Sequence, residues 1–252
     1  MNPTTLCLLA AMVSDLVDIK IVDAQFYGMT QEAFAKEIED YRPDFVGISV
    51  MSSEYREILD TAAKIVKSVD KSIVVIAGGV HVTTSYEYVV SNENIDYLVR
   101  GEGEYVLRNL IKHLIGQDVF PSEGLIFRKS DKVIVQNHVL VQDLKKLPWP
   151  AYDLVDFEAY TKKLERFGPT GPPLLPFTRM VTTRGCPFDC SFCQVEFISG
   201  KSVRARSPED VVNELEFLKE RYGIKSMVFQ DDNLLMAVKY ARDLFSLMIK
   251  RN

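Results

Sequence analysis

The sequence predicts an α/β protein: a parallel sheet with helices on both faces, followed by the opening units of a second α/β domain. Three observations predict it. Short apolar strands alternate with amphipathic helices over the first 115 residues, the pattern of a sheet built from crossover units. Glycines and small polar residues follow those strands, where such sheets bind ligands. An apolar stretch at 177–183 then leads straight into Cys186, Cys190 and Cys193, spaced C-x3-C-x2-C.

The bulk composition sets the outer limits. The chain has 252 residues, 47% hydrophobic and 26% charged, enough to bury a core in one large or two small domains. Its net charge of −5 comes without basic runs, so it lacks the electrostatic footprint of a nucleic-acid binder. Four cysteines are too few for a disulfide scaffold and indicate a reducing compartment. The run from Leu6 to Val13 is apolar, but no Lys or Arg precedes it and Asp15 and Asp18 follow. A signal peptide needs a cationic start, and the run is too short to span a bilayer. The expected setting is cytoplasmic, with no membrane partner.

The elements follow in order. Residues 4–17 read as a helix with Leu6, Leu9, Ala10, Val13 and Leu16 on one face, and Cys7 as a small buried residue. Ile19 to Asp23 reads as a strand. Gln31 to Tyr41 is a helix closed by Pro43. Phe45 to Val50 is a continuous apolar strand, as expected with both faces covered. Tyr55 to Val69 is a helix, Ile73 to Ala77 a strand, Tyr86 to Val90 a short helical stretch, Ile95 to Val99 a strand and Tyr105 to Leu114 a helix. Ser49 and Ser52, then Gly78, Gly79 and His81, then Gly101 and Gly103 fall at the strand ends. Each glycine alone can be a tight turn; three such ends facing one crevice read as a site for a large ligand. His81 reads as lining that crevice, whereas His113 and His138 read as ordinary polar residues.

Taken as a series, Phe45-Val46-Gly47-Ile48-Ser49, Gly78-Gly79-Val80-His81-Val82-Thr83 and Val99-Arg100-Gly101-Glu102-Gly103-Glu104 resemble the cobalamin-binding domain found ahead of many radical S-adenosylmethionine enzymes. The resemblance covers about residues 3–115. It implies a flavodoxin-like (Rossmann-type) sheet with cobalamin at the strand ends, bound by Ser49, Ser52, Gly78, Gly79, His81, Gly101 and Gly103. The D-x-H-x-x-G signature of the cobalamin mutases is absent, so no histidine of that motif ligates cobalt. Family members begin with a strand ahead of the first helix. This sequence begins at the helix, so the sheet is expected to lack that member.

Gly124 to Arg128 and Val133 to Gln136 flank Ser130-Asp131 and read as a β-hairpin. Pro148-Trp149-Pro150 and the run Gly168, Pro169, Gly171, Pro172, Pro173 read as a linker, with Trp149 packing it onto a domain.

The cysteine loop carries the chemistry. Thiolates on one short loop can surround one iron–sulfur cluster, and three rather than four leave one iron open. A structural zinc site would need a fourth Cys or His, and no His lies in the second half. C-x3-C-x2-C with Phe192 before the last cysteine resembles the radical S-adenosylmethionine superfamily. The resemblance implies a 4Fe-4S cluster on Cys186, Cys190 and Cys193, and S-adenosylmethionine on the open iron with Phe192 against its adenine. Phe229-Gln230-Asp231-Asp232 resembles the family segment that meets the amino group of S-adenosylmethionine, which assigns Asp231 and Asp232 to it. The plainer alternative is a pair of acids capping the next helix. Ser207-Pro208-Glu209-Asp210 starts a helix and Gly223 ends it. Met227 to Phe229 is a strand and Met236 to Ile249 a helix. Lys201, Arg204 and Arg206 are read either as neutralising a carboxylate or as solvated.

The expected organisation is therefore a cobalamin-binding-like domain at 1–120, a hairpin and linker at 121–176, and the first two βα units of a partial TIM-like radical S-adenosylmethionine barrel at 177–252. A complete barrel needs roughly 200 residues or more, and about 75 follow Phe177. The expectation is a fragment or one part of a split enzyme, completed by a second chain. The resemblance implies a cobalamin-dependent methyltransferase acting on an unactivated carbon of a small molecule through a 5′-deoxyadenosyl radical, with an external one-electron donor. A radical cyclase or rearrangement enzyme of the same architecture, or a cofactor-binding module inactive without its partner, are the alternatives.

Overall fold

The computed structural model describes residues 3–51, 56–130, 132–162 and 174–251. They form two compact units: residues 22–140, and residues 1–21 together with 141–252. The first 21 residues thus lie outside the unit that holds the rest of the expected domain at 1–120. Helix α1 (Thr4–Val13) explains why. It buries Cys7, Ala10, Met12 and Val13, and the Cys7 carbonyl accepts the Ala151 N–H at 3.0 Å. The helix stops four residues earlier than its apolar periodicity suggests, at a turn over Ser14–Leu16.

The unit 22–140 is an open sheet. Its elements are α2 (Gln31–Tyr41), β1 (Phe45–Ser49), α3 (Arg56–Val69), β2 (Val74–Gly78), α4 (Val80–Val89), β3 (Tyr97–Val99), α5 (Glu104–Leu114), β4 (Leu125–Lys129) and β5 (Lys132–Val135). Among the described residues, the five strands are ordered β1-β2-β3-β4-β5. The first three are parallel and the last two antiparallel. Thr30 caps α2 by accepting the Ala33 N–H at 3.2 Å, the local preference of a hydroxyl for that position. In α3, Leu59, Ala63 and Val66 recur at helical spacing and pack with Val75, Ala77 and Leu98 of the sheet.

Two expectations for this unit are corrected. Ile19 to Asp23 forms no strand. A strand needs a ladder partner, and β1 pairs only with β2 among the described residues. The boundary between the compact units also falls inside the segment, after Ile21. The β4–β5 hairpin forms as expected, but it extends the sheet instead of standing beside the linker: Tyr97 pairs with Phe127 and Val99 with Leu125. The Arg128 guanidinium fastens it, donating to the Asn92 carbonyl at 3.1 Å and the Ile95 carbonyl at 2.9 Å.

The other unit continues with α6 (Phe157–Lys162), β6 (Phe177–Met180), β7 (Thr183–Arg184), α7 (Val195–Ser199), β8 (Arg204–Ala205), α8 (Pro208–Tyr222), β9 (Ser226–Phe229) and α9 (Val238–Arg251). β6 pairs parallel with β9, and β7 antiparallel with β8. These are the expected two βα units; no closed barrel is present among the described residues. The proline- and glycine-rich run at 168–173 lies outside them. α8 begins and ends where its caps dictate: Ser207 accepts the Asp210 N–H at 3.1 Å, and Gly223 turns the chain left-handed at φ +65°. α9 starts two residues later than expected, after a short 3-10 turn at Leu234–Met236.

A buried polar network fixes α8 to the segment before α6. Tyr152 donates to Glu214 Oε1 at 2.5 Å, and Arg206 lies 2.5 Å from Glu214 Oε2 while bonding Asp210. Trp149 donates its indole N–H to Asp210 at 2.7 Å and packs on Phe217, the packing role expected for it. Burial, together with the Glu214 charge, pushes the Tyr152 phenol up, so Tyr152 stays a donor. Glu214 is 0% exposed. Glu214→Ala should therefore lower the unfolding free energy by about 1–3 kcal/mol, because the Tyr152 hydroxyl loses its buried acceptor and Arg206 keeps only Asp210. Denaturant titration measures this, and an unchanged midpoint would contradict it.

Candidate functional site

The cysteine loop grows out of the pairing of β6 with β9. Met180 lies opposite Phe229, and the Gln230 N–H donates to the Met180 carbonyl at 2.8 Å. That register sets Asp231 beside Thr182 and Thr183. Asp231 Oδ1 accepts from the Thr182 N–H at 3.0 Å, the Thr182 hydroxyl at 2.8 Å, the Thr183 hydroxyl at 2.7 Å and the Thr183 N–H. Asp232 Oδ2 accepts the Gly185 N–H at 3.0 Å. Asp231 Oδ2 is buried and has no hydrogen-bond partner among the described residues. The sequence pointed to both acids, but Thr182 and Thr183 were missed. Their only signal was two hydroxyls just before the loop.

The loop itself leaves through Gly185 at φ +93°, where a Cβ would collide with the Ser202 carbonyl oxygen. Only glycine fits such a place. The Cys186 N–H then donates to Gly200 at 3.1 Å, and the Cys193 N–H to Cys190 at 2.9 Å. The basic residues have specific partners. Lys201 pairs with Asp189 and, at 3.5 Å, with Glu196. Arg204 donates to the carbonyls of Ser199 and Val141, each at 2.5 Å.

All three thiols of the loop are free. They line one cavity of about 230 Å³ with Phe188, Asp189 and Glu196. Phe192 is 89% exposed and does not line it. The thiols sit around the cavity wall; among the described residues no three His, Cys, Asp or Glu side chains gather tightly enough to grip a single ion. A cluster is wider than an ion and is held by thiolates around it, so this donor set fits one.

The second site lies at the carboxyl ends of β1, β2 and β3. Ser49 pairs in register with Gly78. Gly79, at φ +98°, lets the chain pass so closely that a Cβ would lie 2.5 Å from the Val50 carbonyl oxygen and 3.1 Å from Ser49 Oγ. The Thr83 hydroxyl accepts the Gly101 N–H and donates to the Gly79 carbonyl, both at 3.0 Å. Gly103 caps α5. Ser49, Gly78, Gly79, His81 and Gly101 thus meet along one sheet edge, while Ser52 lies outside the described residues. His81 is 4% exposed, and its Nε2 has no hydrogen-bond partner among the described residues. A buried ring nitrogen without a partner at the ligand-binding end of a parallel sheet fits a polar cofactor there.

A family model described as the B12 binding domain matches residues 2–111, and one described as the radical SAM superfamily matches residues 180–252. The chain is a cobalamin-binding radical SAM protein. An uncharacterized methyltransferase of Pyrococcus horikoshii is 36% identical over 99% of this chain and 52% of its own length. The cytidylyl-2-hydroxyethylphosphonate methyltransferase of Streptomyces wedmorensis is 27% identical over 88% of this chain and 46% of its own. The anaerobic magnesium-protoporphyrin IX monomethyl ester cyclase of Rubrivivax gelatinosus is 26% identical over 93% of this chain and 42% of its own. The radical SAM chain thus spans about half the length of these relatives.

Solved structures show the same fold. The methyltransferase TsrM of Kitasatospora setae was solved with cobalamin and a 4Fe-4S cluster, and again with tryptophan substrate and an S-adenosylmethionine analogue. It matches with TM-scores of 0.73 and 0.75 at 20% identity, over 99% and 100% of this chain and 48% of its own. OxsB, solved with aqua-cobalamin and S-adenosylmethionine, matches with a TM-score of 0.72 at 21% identity, over 92% of this chain and 31% of its own. No helix of the described residues is long and apolar enough to cross a membrane.

The four cysteines differ in burial: Cys7 is buried, Cys186 half-buried, Cys190 and Cys193 exposed. Burial pushes the Cys7 thiol up to about 12, so near pH 8 it stays protonated, and only the thiolate reacts. Cys190 and Cys193 are exposed. Iodoacetamide at about pH 8 should therefore modify Cys190 and Cys193 in the native apoprotein and spare Cys7. Peptide mass spectrometry reads the result; equal labelling of Cys7 would contradict the buried placement.

Proposed function

We propose that the chain forms the cofactor-binding part of a cobalamin-dependent radical SAM methyltransferase that acts on an unactivated carbon of a small molecule. The observation that carries this reading is the single cavity of about 230 Å³ on which all three free thiols of the C-x3-C-x2-C loop converge. Cys186, Cys190 and Cys193 would hold a 4Fe-4S cluster and leave one iron for S-adenosylmethionine. Phe192 would lie against the adenine. Asp231, through its buried unpartnered Oδ2, and Asp232 would face the ammonium group. Ser49, Gly78, Gly79, His81, Gly101 and Gly103 would line the cobalamin site. When bound, these cofactors supply one-electron chemistry and a methyl group; the protein positions them and keeps out water.

The match to the magnesium-protoporphyrin cyclase favours a second reading, a radical cyclase of the same architecture. Both readings need an external electron donor and a cytoplasmic, reducing setting. Both also need further strands beside β6 and β9, from the same polypeptide or a second chain. All four residues of β9 are only half-buried, which supports that need. Anaerobic reconstitution should load about 4 irons per chain. Cys190→Ala should reduce that content severely, measured by iron and sulfide assay; iron content equal to the unsubstituted chain would sink the ligand assignment.

A further inference from the structure

We infer that Asp231 and Asp232 are positioning residues that lock the root of the cysteine loop, besides any contact they make with S-adenosylmethionine. The inference deepens the cluster reading above and rests on it. Four donors converge on Asp231 Oδ1, two backbone and two hydroxyl, all from Thr182 and Thr183. Both threonines are buried, at 0% and 1% exposed, so their polar groups have few other partners. Asp232 adds the Gly185 N–H, the last amide before Cys186. Across the loop root, the backbone is pinned by the Cys186 N–H on Gly200 and by the Arg206 N–H on Thr182 at 3.0 Å. The acids therefore hold three backbone amides, those of Thr182, Thr183 and Gly185, just ahead of the first thiol.

One carboxylate oxygen does this work while the other is left buried and unpartnered. The two oxygens of Asp231 are thus separable by substitution. Asn at this position keeps one acceptor oxygen for the threonines and loses the negative charge. Ala removes both. A residue that served only as a counter-charge for an ammonium group would be disabled by either change. A lock on the loop is disabled by Ala alone.

The test uses the full chain, reconstituted anaerobically, with the rate of iron loss to a chelator as one readout. Hydrogen exchange of the apoprotein peptide spanning 182–185 is the other. Asp231→Ala should lose iron about tenfold faster than the unsubstituted chain and exchange those amides about tenfold faster, as expected when buried donors lose a charged acceptor. Asp231→Asn should stay within about twofold on both. Asp231→Ala matching the unsubstituted chain on both readouts overturns the inference, as does an Asn variant as impaired as Ala. If Asp231→Ala does not fold, Asp232→Ala carries the test. Its side chain is exposed and, among the described residues, is hydrogen-bonded to the Gly185 amide, so faster exchange at Gly185 supports the lock and unchanged exchange overturns it. If the unsubstituted chain takes up no iron, the cluster reading falls, and the exchange data still decide whether the lock exists.

Discussion

The register of β6 against β9 is the constraint on which the second unit's site depends. Pairing Met180 with Phe229 brings two strand ends, 49 residues apart in sequence, to the same level. One end carries the thiols and the other the acids. A shift of one residue would turn every side chain of β9 to the opposite face, and Asp231 would lose the threonines. The register is held by burial of Met180 in one cluster with the α8 and α9 side chains Val212, Leu218 and Leu244, and Phe177 at the other end of β6 is buried too. The buried Tyr152–Glu214–Arg206 network adds direction to that apolar packing, because ion pairs and hydrogen bonds tolerate few geometries.

The unit 22–140 solves a similar problem differently. The β1 and β2 ends carry no Asp, Glu, Lys or Arg at Ser49–Val50 and Gly78–His81, and close approach is achieved with glycine. A Cβ at Gly101 would strike the His138 ring, and one at Gly79 the Val50 carbonyl. The resulting edge is narrow and made largely of backbone amides and carbonyls, joined through the Thr83 hydroxyl. Such a surface suits a large ligand with many polar groups better than a single ion.

Local features were legible in the sequence wherever one residue decides them. Ser207, Pro208 and Gly223 bounded α8 because a cap acts within a single turn. The Cys spacing and the glycines after β2 and β3 were equally plain. Features that depend on distant partners were not. Ile19 to Asp23 has the apolar pattern of a strand, but a ladder requires a neighbour, and the pattern does not say whether one exists. The hairpin at β4–β5 looked self-contained because its join to β3 is a ladder with residues almost 30 positions earlier, which local pattern does not show. Asp231 and Asp232 stood out as acids at a strand end, yet their threonine partners follow only from register.

Exposure around the cysteine loop points the same way as its thiols. Phe188, Phe192 and Phe197 are 51%, 89% and 60% exposed, all within ten residues of chain. Fully burying one such ring is worth about 1.5–3 kcal/mol, so folding alone leaves this surface unused. Lone exposed apolar residues need no explanation, but a cluster that flanks free thiols does. The adjacent acids do not cover it, since Asp231 is spent on Thr182 and Thr183 and Asp189 on Lys201. Apart from Asp231 Oδ2, which has no partner among the described residues, these acids are engaged, while the rings and the Cys190 and Cys193 thiols stand open. That division is what a site must have when its occupant is large, partly aromatic and ligated through sulfur.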